Sequence, residues 1–300
     1  VMGNVSGDGN YDYLDEATLT ATPNIGYVFS KWQKEGVDIA GGASITVTVE
    51  ADVHYTAVFA PDKYAITIEK EGEGTTSGNG TDEYNTNATL TATAAVGYTF
   101  SRWEKDGAQI STESSCTVKV TAAATYKAVF TINSYNIAVA TSGNGFGTVT
   151  GNNLYNHGDD VTLVATENTG SSFGGWYKGN EKVSDNNTYS FTATENATYT
   201  AMFTLNQYTL TVLANNNSYG NVSGSGTYDY GTEVAIEAMP NDGCEFVEWA
   251  EDHLITPSRK ETMHENCTYT AVFRLQQFYI SATSADEAMG SVSGSGTYNY

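Results

Sequence analysis

The sequence predicts an all-β protein built as a tandem array of modules of about 70 residues. Three observations predict it. Landmarks recur at a fixed interval: Trp32, Trp103, Trp176 and Trp249 are spaced 71, 73 and 73 apart, and Phe59, Phe130, Phe203 and Phe273, each closing a Tyr-x-Ala-x-Phe phrase, are spaced 71, 73 and 70 apart. Within each interval apolar and polar residues alternate with period two over short runs, as half-buried strands do. No run of ten residues carries the 3.6-residue period of a helix. A fixed period of this length marks a repeat architecture, and it overrides the two or three domains that 300 residues would otherwise suggest. An immunoglobulin-like β-sandwich module is the alternative fold.

The interval Asp62–Ile132 shows the elements in order. Tyr64, Ile66 and Ile68 alternate with Ala65 and Thr67, which predicts a half-buried first strand. The glycine-rich run Glu71–Tyr84 predicts turns and a hairpin. Ala88–Ala94 alternates again, with Leu90 and Ala92 or their neighbours inward. In Gly97–Trp103 strict alternation places Tyr98, Phe100 and Arg102 on one face and Thr99, Ser101 and Trp103 on the other. Ser115–Val120 directs Cys116, Val118 and Val120 to one side, and Thr125–Phe130 closes the unit. That makes about six short strands rich in the Thr, Val, Tyr and Phe that sheets favour. At most one helical turn fits, around Lys105–Gln109. The expected core is Tyr98, Phe100, Trp103, Val118, Val120, Tyr126, Val129, Phe130 and their equivalents. Large rings compensate for the small core of so short a unit.

The repeats fall at 1–61 (without its first strand), 62–132, 133–205 and 206–275, with 276–300 beginning a fifth. The chain opens on MGNVSGDGNYDY and closes on MGSVSGSGTYNY, the same motif, which reads as a window on a longer repeat protein. Only four residues separate each closing Phe from the next leading Tyr or Phe, so the units are not flexibly linked. A rod on the order of 100 Å is the expectation for four such units in line.

The pattern Gly-x-Val-x-Gly-x-Gly-x-Tyr-x-Tyr-Gly, then Leu-Thr-Ala-Thr-Pro, then Gly-Tyr-x-Phe-x-x-Trp, then Thr-Val-Thr-Val and Tyr-Thr-Ala-Val-Phe resembles the divergent internalin-type (InlB) B repeats, relatives of the Listeria–Bacteroides repeat. It stands at Asn221–Gly231, Leu19–Trp32 and Thr46–Phe59, and it covers essentially the whole chain. The resemblance implies β-grasp-like modules in a secreted or surface-attached bacterial protein, used as spacers, with adhesion residing in other domains and no catalytic residues. Two repeats depart from it. Ser171-Ser172-Phe173 stands in the Gly-Tyr-x-Phe segment, and Arg259, Glu261 and Met263 replace Ile45, Val47 and Val49, so that the fifth strand of repeat 4 is expected to be irregular or at an edge.

There are 13 Lys+Arg against 35 Asp+Glu, a net charge of −22, which argues against nucleic acid or an anionic membrane as partner. Aromatics at 12% argue against disorder. No apolar run is long enough to insert in a membrane. Among candidate sites, Cys116 reads as a buried thiol, and Cys244 and Cys267, both peculiar to repeat 4, as a possible disulfide. His54, His157, His253 and His264 follow no zinc spacing. Asp8–Asp12 and Asp185–Asn187 are the best acidic segments but lack a calcium-loop pattern. Gly143–Gly147 reads as turns rather than a phosphate loop, since strands follow it. The sequons at Asn4 and Asn196 read as incidental. No catalytic, metal or cofactor residue is assigned. The expected function is a non-catalytic stalk at the bacterial cell surface, whose partners are its own neighbouring repeats. The alternative is an adhesin that binds host glycan or protein through aromatics such as Tyr11, Tyr13, Tyr228 and Tyr230.

Overall fold

The computed structural model describes residues 1–300 as thirty-one β-strands with no helix. The chain clusters into two compact units, Val1–Tyr135 with Asn156–Asp159, and Asn136–Tyr155 with Asp160–Tyr300.

Repeat 2, in the first unit, shows the module whole. Its leading strand Lys63–Glu71 and closing strand Ala124–Ile132 lie side by side and parallel, with Ile66 opposite Ala124 and Ile68 opposite Tyr126. The tryptophan strand Tyr98–Lys105 pairs antiparallel with the other edge of the closing strand. The short strands Ala108–Ser111 and Gly80–Glu83 complete a five-stranded mixed sheet. A second sheet of three strands, Ser115–Lys119, Asn87–Ala94 and Gly74–Ser77, covers it. Leu90 and Trp103 are fully buried, and Ile66, Val120, Tyr126 and Phe130 are nearly so. A central parallel pair is foreign to the immunoglobulin sandwich, whose sheets are antiparallel, so that alternative falls.

Two further expectations change. Strict alternation placed Phe100 and Trp103 on opposite faces. The structure places both in the core, with ring centroids 5.8 Å apart. The cause is a β-bulge: the register against the closing strand shifts between Phe100 and Arg102, one residue is inserted, and the alternation reverses. The same shift occurs at Phe29/Lys31, Phe173/Gly175 and Phe246/Glu248. In place of a helical turn, Asp106 and Gly107 take φ of 53° and 78° and reverse the chain into a hairpin. Two consecutive positive φ values are what a two-residue hairpin turn needs, and Asp-Gly supplies them. This hairpin adds the strand Ala108–Ser111.

Repeat 4 keeps its fifth strand. Ser258–Thr262 pairs in continuous register with Glu233–Pro240, at the same sheet edge that Ser44–Thr48 and Ser115–Lys119 occupy. Met263 remains fully buried, so the apolar stripe is reduced rather than lost. The loop Ala250–Pro257 replaces the hairpin strand found after the other tryptophans.

Repeat 1 differs most. Its closing strand Tyr55–Pro61 pairs only with Tyr27–Lys34, and its core cluster shrinks to Leu19, Ala21 and Trp32. Leu90→Ala should therefore cost about 2–5 kcal/mol, whereas Leu19→Ala, beside space already open, should cost less. Denaturant unfolding followed by repeat-resolved hydrogen exchange measures both.

Candidate functional site at the repeat joints

All four tryptophans are fully buried. Each indole N–H donates to a carbonyl in the loop before the fifth strand: Trp32 to Gly42 at 3.2 Å, Trp103 to Ser114 at 3.4 Å, Trp176 to Asn187 at 3.1 Å, and Trp249 to Thr256 at 3.1 Å. A buried ring with a satisfied N–H is a structural anchor. Phe130, Phe203 and Phe273 are buried beside them, while Phe59 in repeat 1 is half-buried.

The disulfide expected between Cys244 and Cys267 is absent, and both thiols are free. Cys244 lies opposite Leu275, eight residues along the strand from Cys267. At the rise of an extended strand this separates them by roughly 26 Å, far beyond the reach of roughly 7 Å for a bridge. Burial pushes the Cys116 and Cys267 thiols up. The histidines do not converge: His54 donates its amide N–H to Glu35, His253 Nδ1 meets Glu248 at 3.1 Å, and the His264 ring lies 4.9 Å from that of Tyr230.

The acidic segments are likewise apart. Asp185 is engaged by Lys182, and the Asn187 carbonyl by Trp176. Glu104, the most buried carboxylate, is held below the usual range by Arg102 and then by Lys127.

What does recur is a joint. Gly26, Gly97, Gly170 and Gly243 open the tryptophan strands with φ of 84°, 81°, 78° and 73°. Each carbonyl accepts an N–H from the junction to the next repeat: Asp62 at 2.8 Å, Asn133 at 2.8 Å, Asn206 at 2.9 Å and Gln276 at 2.9 Å. Each junction residue's own carbonyl then accepts the N–H of an aromatic residue in the next repeat's hairpin turn: Tyr84, His157 and Tyr230 at 2.8 Å, and Tyr300 at 2.9 Å. That aromatic ring lies directly on the glycine, where any Cβ would overlap it. The backbone thus ties glycine, junction and ring in series. Thr99 to Asn133 at 2.7 Å and Ser172 to Asn206 at 2.6 Å brace two of the joints from the side. Each joint lies wholly within one compact unit. Repeat 3 keeps the joint because it retains Gly170; only the tyrosine after that glycine is replaced, by Ser171.

The joint was invisible as a site in the sequence, although its two halves, a glycine before each aromatic strand and an aromatic at each turn, recur there. Its second copy is chemically distinct. His157 occupies the ring position, and its Nδ1 is buried without a partner. Tyr155 and Tyr228, two residues before their joint rings, donate their hydroxyls to Gly151 and Gly224 carbonyls at 3.0 Å, so these rings hold their own hairpins.

In repeat 4 a polar network fills the place of the lost aliphatics. The Arg259 guanidinium stacks 4.2 Å over Tyr269 and pairs with Asp252 and Glu261, and the Tyr269 hydroxyl donates to Glu261 at 2.9 Å. Burial, then that bond, push Tyr269 up to about 12.

A family model agrees with this four-fold construction. The divergent InlB B-repeat domain matches residues 1–63, 64–134, 135–207 and 208–277, and the chain belongs to that family. No curated protein matches. Among solved structures, the Bacillus anthracis TIE protein is similar at a TM-score of 0.40 and 9% identity, over 87% of this chain and 60% of that one.

Gly170→Ala should destabilise the joint by about 1–2 kcal/mol or more through the positive φ, and overlap with Tyr230 adds to this. The measurement is thermal unfolding of parent and variant: repeats 3 and 4 should unfold in one transition in the parent and in two in the variant. His157→Tyr should stabilise the second joint by about 1 kcal/mol, since it removes a buried unpartnered nitrogen. The raised Tyr269 favours its neutral form in the fold. Its contribution is therefore whole below pH 10.0, the ordinary tyrosine value, and is lost as pH climbs towards about 12. Ultraviolet titration should show Tyr269 ionising late, and Glu261→Gln should lower it part of the way, since burial, the larger cause, remains.

Proposed function

We propose that this member of the divergent InlB B-repeat family is a non-catalytic spacer in a bacterial cell-surface or secreted protein, which holds an adhesive or catalytic domain at a distance from the envelope. The observation that carries this reading is the joint. The same glycine, junction and ring contacts occur four times, so the repeats present their most constant chemistry to one another. Non-repeating polar clusters, such as the one at Arg259, lie inside single modules.

The adhesin alternative calls for an exposed aromatic patch repeated from module to module. Tyr84 and Tyr230 are instead half-buried on glycines, and Tyr228 is half-buried in its own hairpin. Tyr13 is 73% exposed and Tyr11 39% exposed in repeat 1, where the Tyr11 hydroxyl still donates to its own hairpin at Gly7. Tyr298 and Tyr300, the counterparts in the begun fifth repeat, are 47% and 70% exposed, so the exposure falls at the two ends and is not repeated in repeats 2 to 4. The net charge of −22 favours a soluble, self-repelling array over a sticky one.

A spacer must transmit position across its joints. Spin labels attached through bio-orthogonal side chains at Asn180 and Ser258, both exposed and on either side of the third joint, should give one narrow distance distribution. A broad distribution, or tight binding of the whole chain to a glycan panel, would overturn the spacer reading.

A further inference from the structure

We propose that each complete repeat is a mechanical clamp, whose parallel strand pair bears tension applied along the chain. The clamp itself follows from topology; its use at a cell surface rests on the spacer reading. In repeat 2 the chain enters at the start of the leading strand Lys63–Glu71 and leaves at the end of the closing strand Ala124–Ile132. The two strands point the same way and lie side by side, from Ile66 opposite Ala124 to Glu71 opposite Val129. Tension pulls on the start of one strand and the end of the other, so it draws the pair lengthwise past each other. The backbone bonds of a parallel ladder cross from strand to strand at even spacing. A lengthwise load therefore falls on all of them together, and none opens before the rest. Repeat 3 has the same arrangement from Ile137 opposite Ala197 to Gly143 opposite Phe203, and repeat 4 from Leu210 opposite Cys267 to Ala214 opposite Ala271.

Three further features strengthen this pair. The closing strand is held on its other edge by the tryptophan strand, with Tyr98 opposite Ile132, Ser171 opposite Leu205 and Cys244 opposite Leu275, so its exit end is gripped as well. Ile66, Ile137 and Leu210 lie on the core side of the ladder at 3%, 1% and 1% exposure, which keeps water, the competitor for these bonds, off that face. In repeats 3 and 4 asparagine side chains lengthen the ladder at both ends. At the entry end the Oδ1 atoms of Asn196 and Asn266 accept the N–H groups of Asn136 and Thr209, each at 2.7 Å. At the exit end Asn144 Oδ1 accepts the Leu205 N–H at 3.2 Å. Asn215 Oδ1 accepts the Phe273 N–H at 3.0 Å, and its Nδ2 donates to the Phe273 carbonyl at 3.1 Å. The Asn215 amide thus stands in for a backbone unit just beyond the last paired residue, Ala214. In repeat 2 the side-chain bond across the pair is Lys127 to Glu71 at 3.1 Å, an ion pair open to solvent that adds little.

Pulling the whole chain in optical tweezers tests this in two directions. Handles at the two chain ends load the pairs lengthwise. Handles on bio-orthogonal side chains at Gln207 and Glu265, both exposed and both at the entry end of the repeat 4 pair, load that pair crosswise, so that its bonds open one after another. The expected result under end pulling is abrupt steps, each releasing up to roughly 240 Å, the extended length of about 70 residues. Their force should be several-fold above the force that opens repeat 4 crosswise at the same loading rate. Asn215→Ala should lower the force of one lengthwise step and keep the parent's β-sheet circular dichroism. The comparison of directions does not depend on how that variant folds. Equal forces in the two directions, or gradual lengthening without steps under end pulling, overturns the proposal. A repeat that slips at low force would still separate two domains at rest, so this failure is distinct from a broad distance distribution at the third joint.

Discussion

Each module hangs on the parallel contact between its first and last strands. In repeat 2 that contact brings Ile66 to Ala124, residues separated by almost the whole unit, and everything between them has to be folded for it to form. Parallel neighbours always need a long crossover. Here the crossover is the entire second sheet together with the tryptophan strand, and it covers the face of the pair it connects. This explains how so short a unit can hold a core. The second sheet supplies Leu90 to one side of the interior, and the five-stranded sheet supplies Trp103 together with Ile66, Tyr126 and Phe130 to the other. Within residues 1–300 no leading strand lies beside Tyr55–Pro61, and there Phe59 and Tyr55 are half-buried and the buried cluster is smaller.

The same pairing determines how modules are joined. The closing strand ends beside the glycine that opens the tryptophan strand, since the two strands are antiparallel neighbours, with Tyr98 opposite Ile132. The next leading strand starts within four residues of the closing Phe, so the following hairpin turn arrives beside that same glycine. A ring at the turn then has one place to go, and only a residue without a Cβ leaves room for it. Stability in such an array is the sum of module terms and neighbour terms, and the joint is the structural form of the neighbour term.

Much of this was legible in the sequence, because it was stated four times. The period, the all-β class, the half-buried strands and the aromatic core positions follow from spacing and alternation. What was not legible shares one physical origin. Alternation is a local rule, and a single inserted residue reverses it, so the bulge after Phe100 moved Trp103 to the face opposite the one that counting assigns. The hairpin at Asp106-Gly107 does carry its signal, an Asp-Gly pair between two short runs, but the same residues also fit a single helical turn, and only the pairing of Ala108–Ser111 with the tryptophan strand decides between them. The strand partners, parallel or antiparallel, and the joint ring's seat on the previous module's glycine depend on contacts across dozens of residues that no window of the sequence displays.

Repeat 4 shows how much the architecture tolerates at one edge and how little at another. At the edge strand Ser258–Thr262, Arg259 and Glu261 replace two aliphatics, yet the register is unbroken. An edge position lets the charged ends reach one another and the solvent while the Arg259 plane covers Tyr269, so much of the lost apolar contact is replaced by stacking. The joint has no such latitude. At Gly26, Gly97, Gly170 and Gly243 the residue never changes, while the partner ring varies between tyrosine and histidine. The asymmetry has a steric reason: a ring can be exchanged for another flat ring, but the floor beneath it cannot gain even one carbon. Variation along this array is therefore channelled away from the joints and into the edge strands and loops, where a module can change its surface without changing its relation to the next.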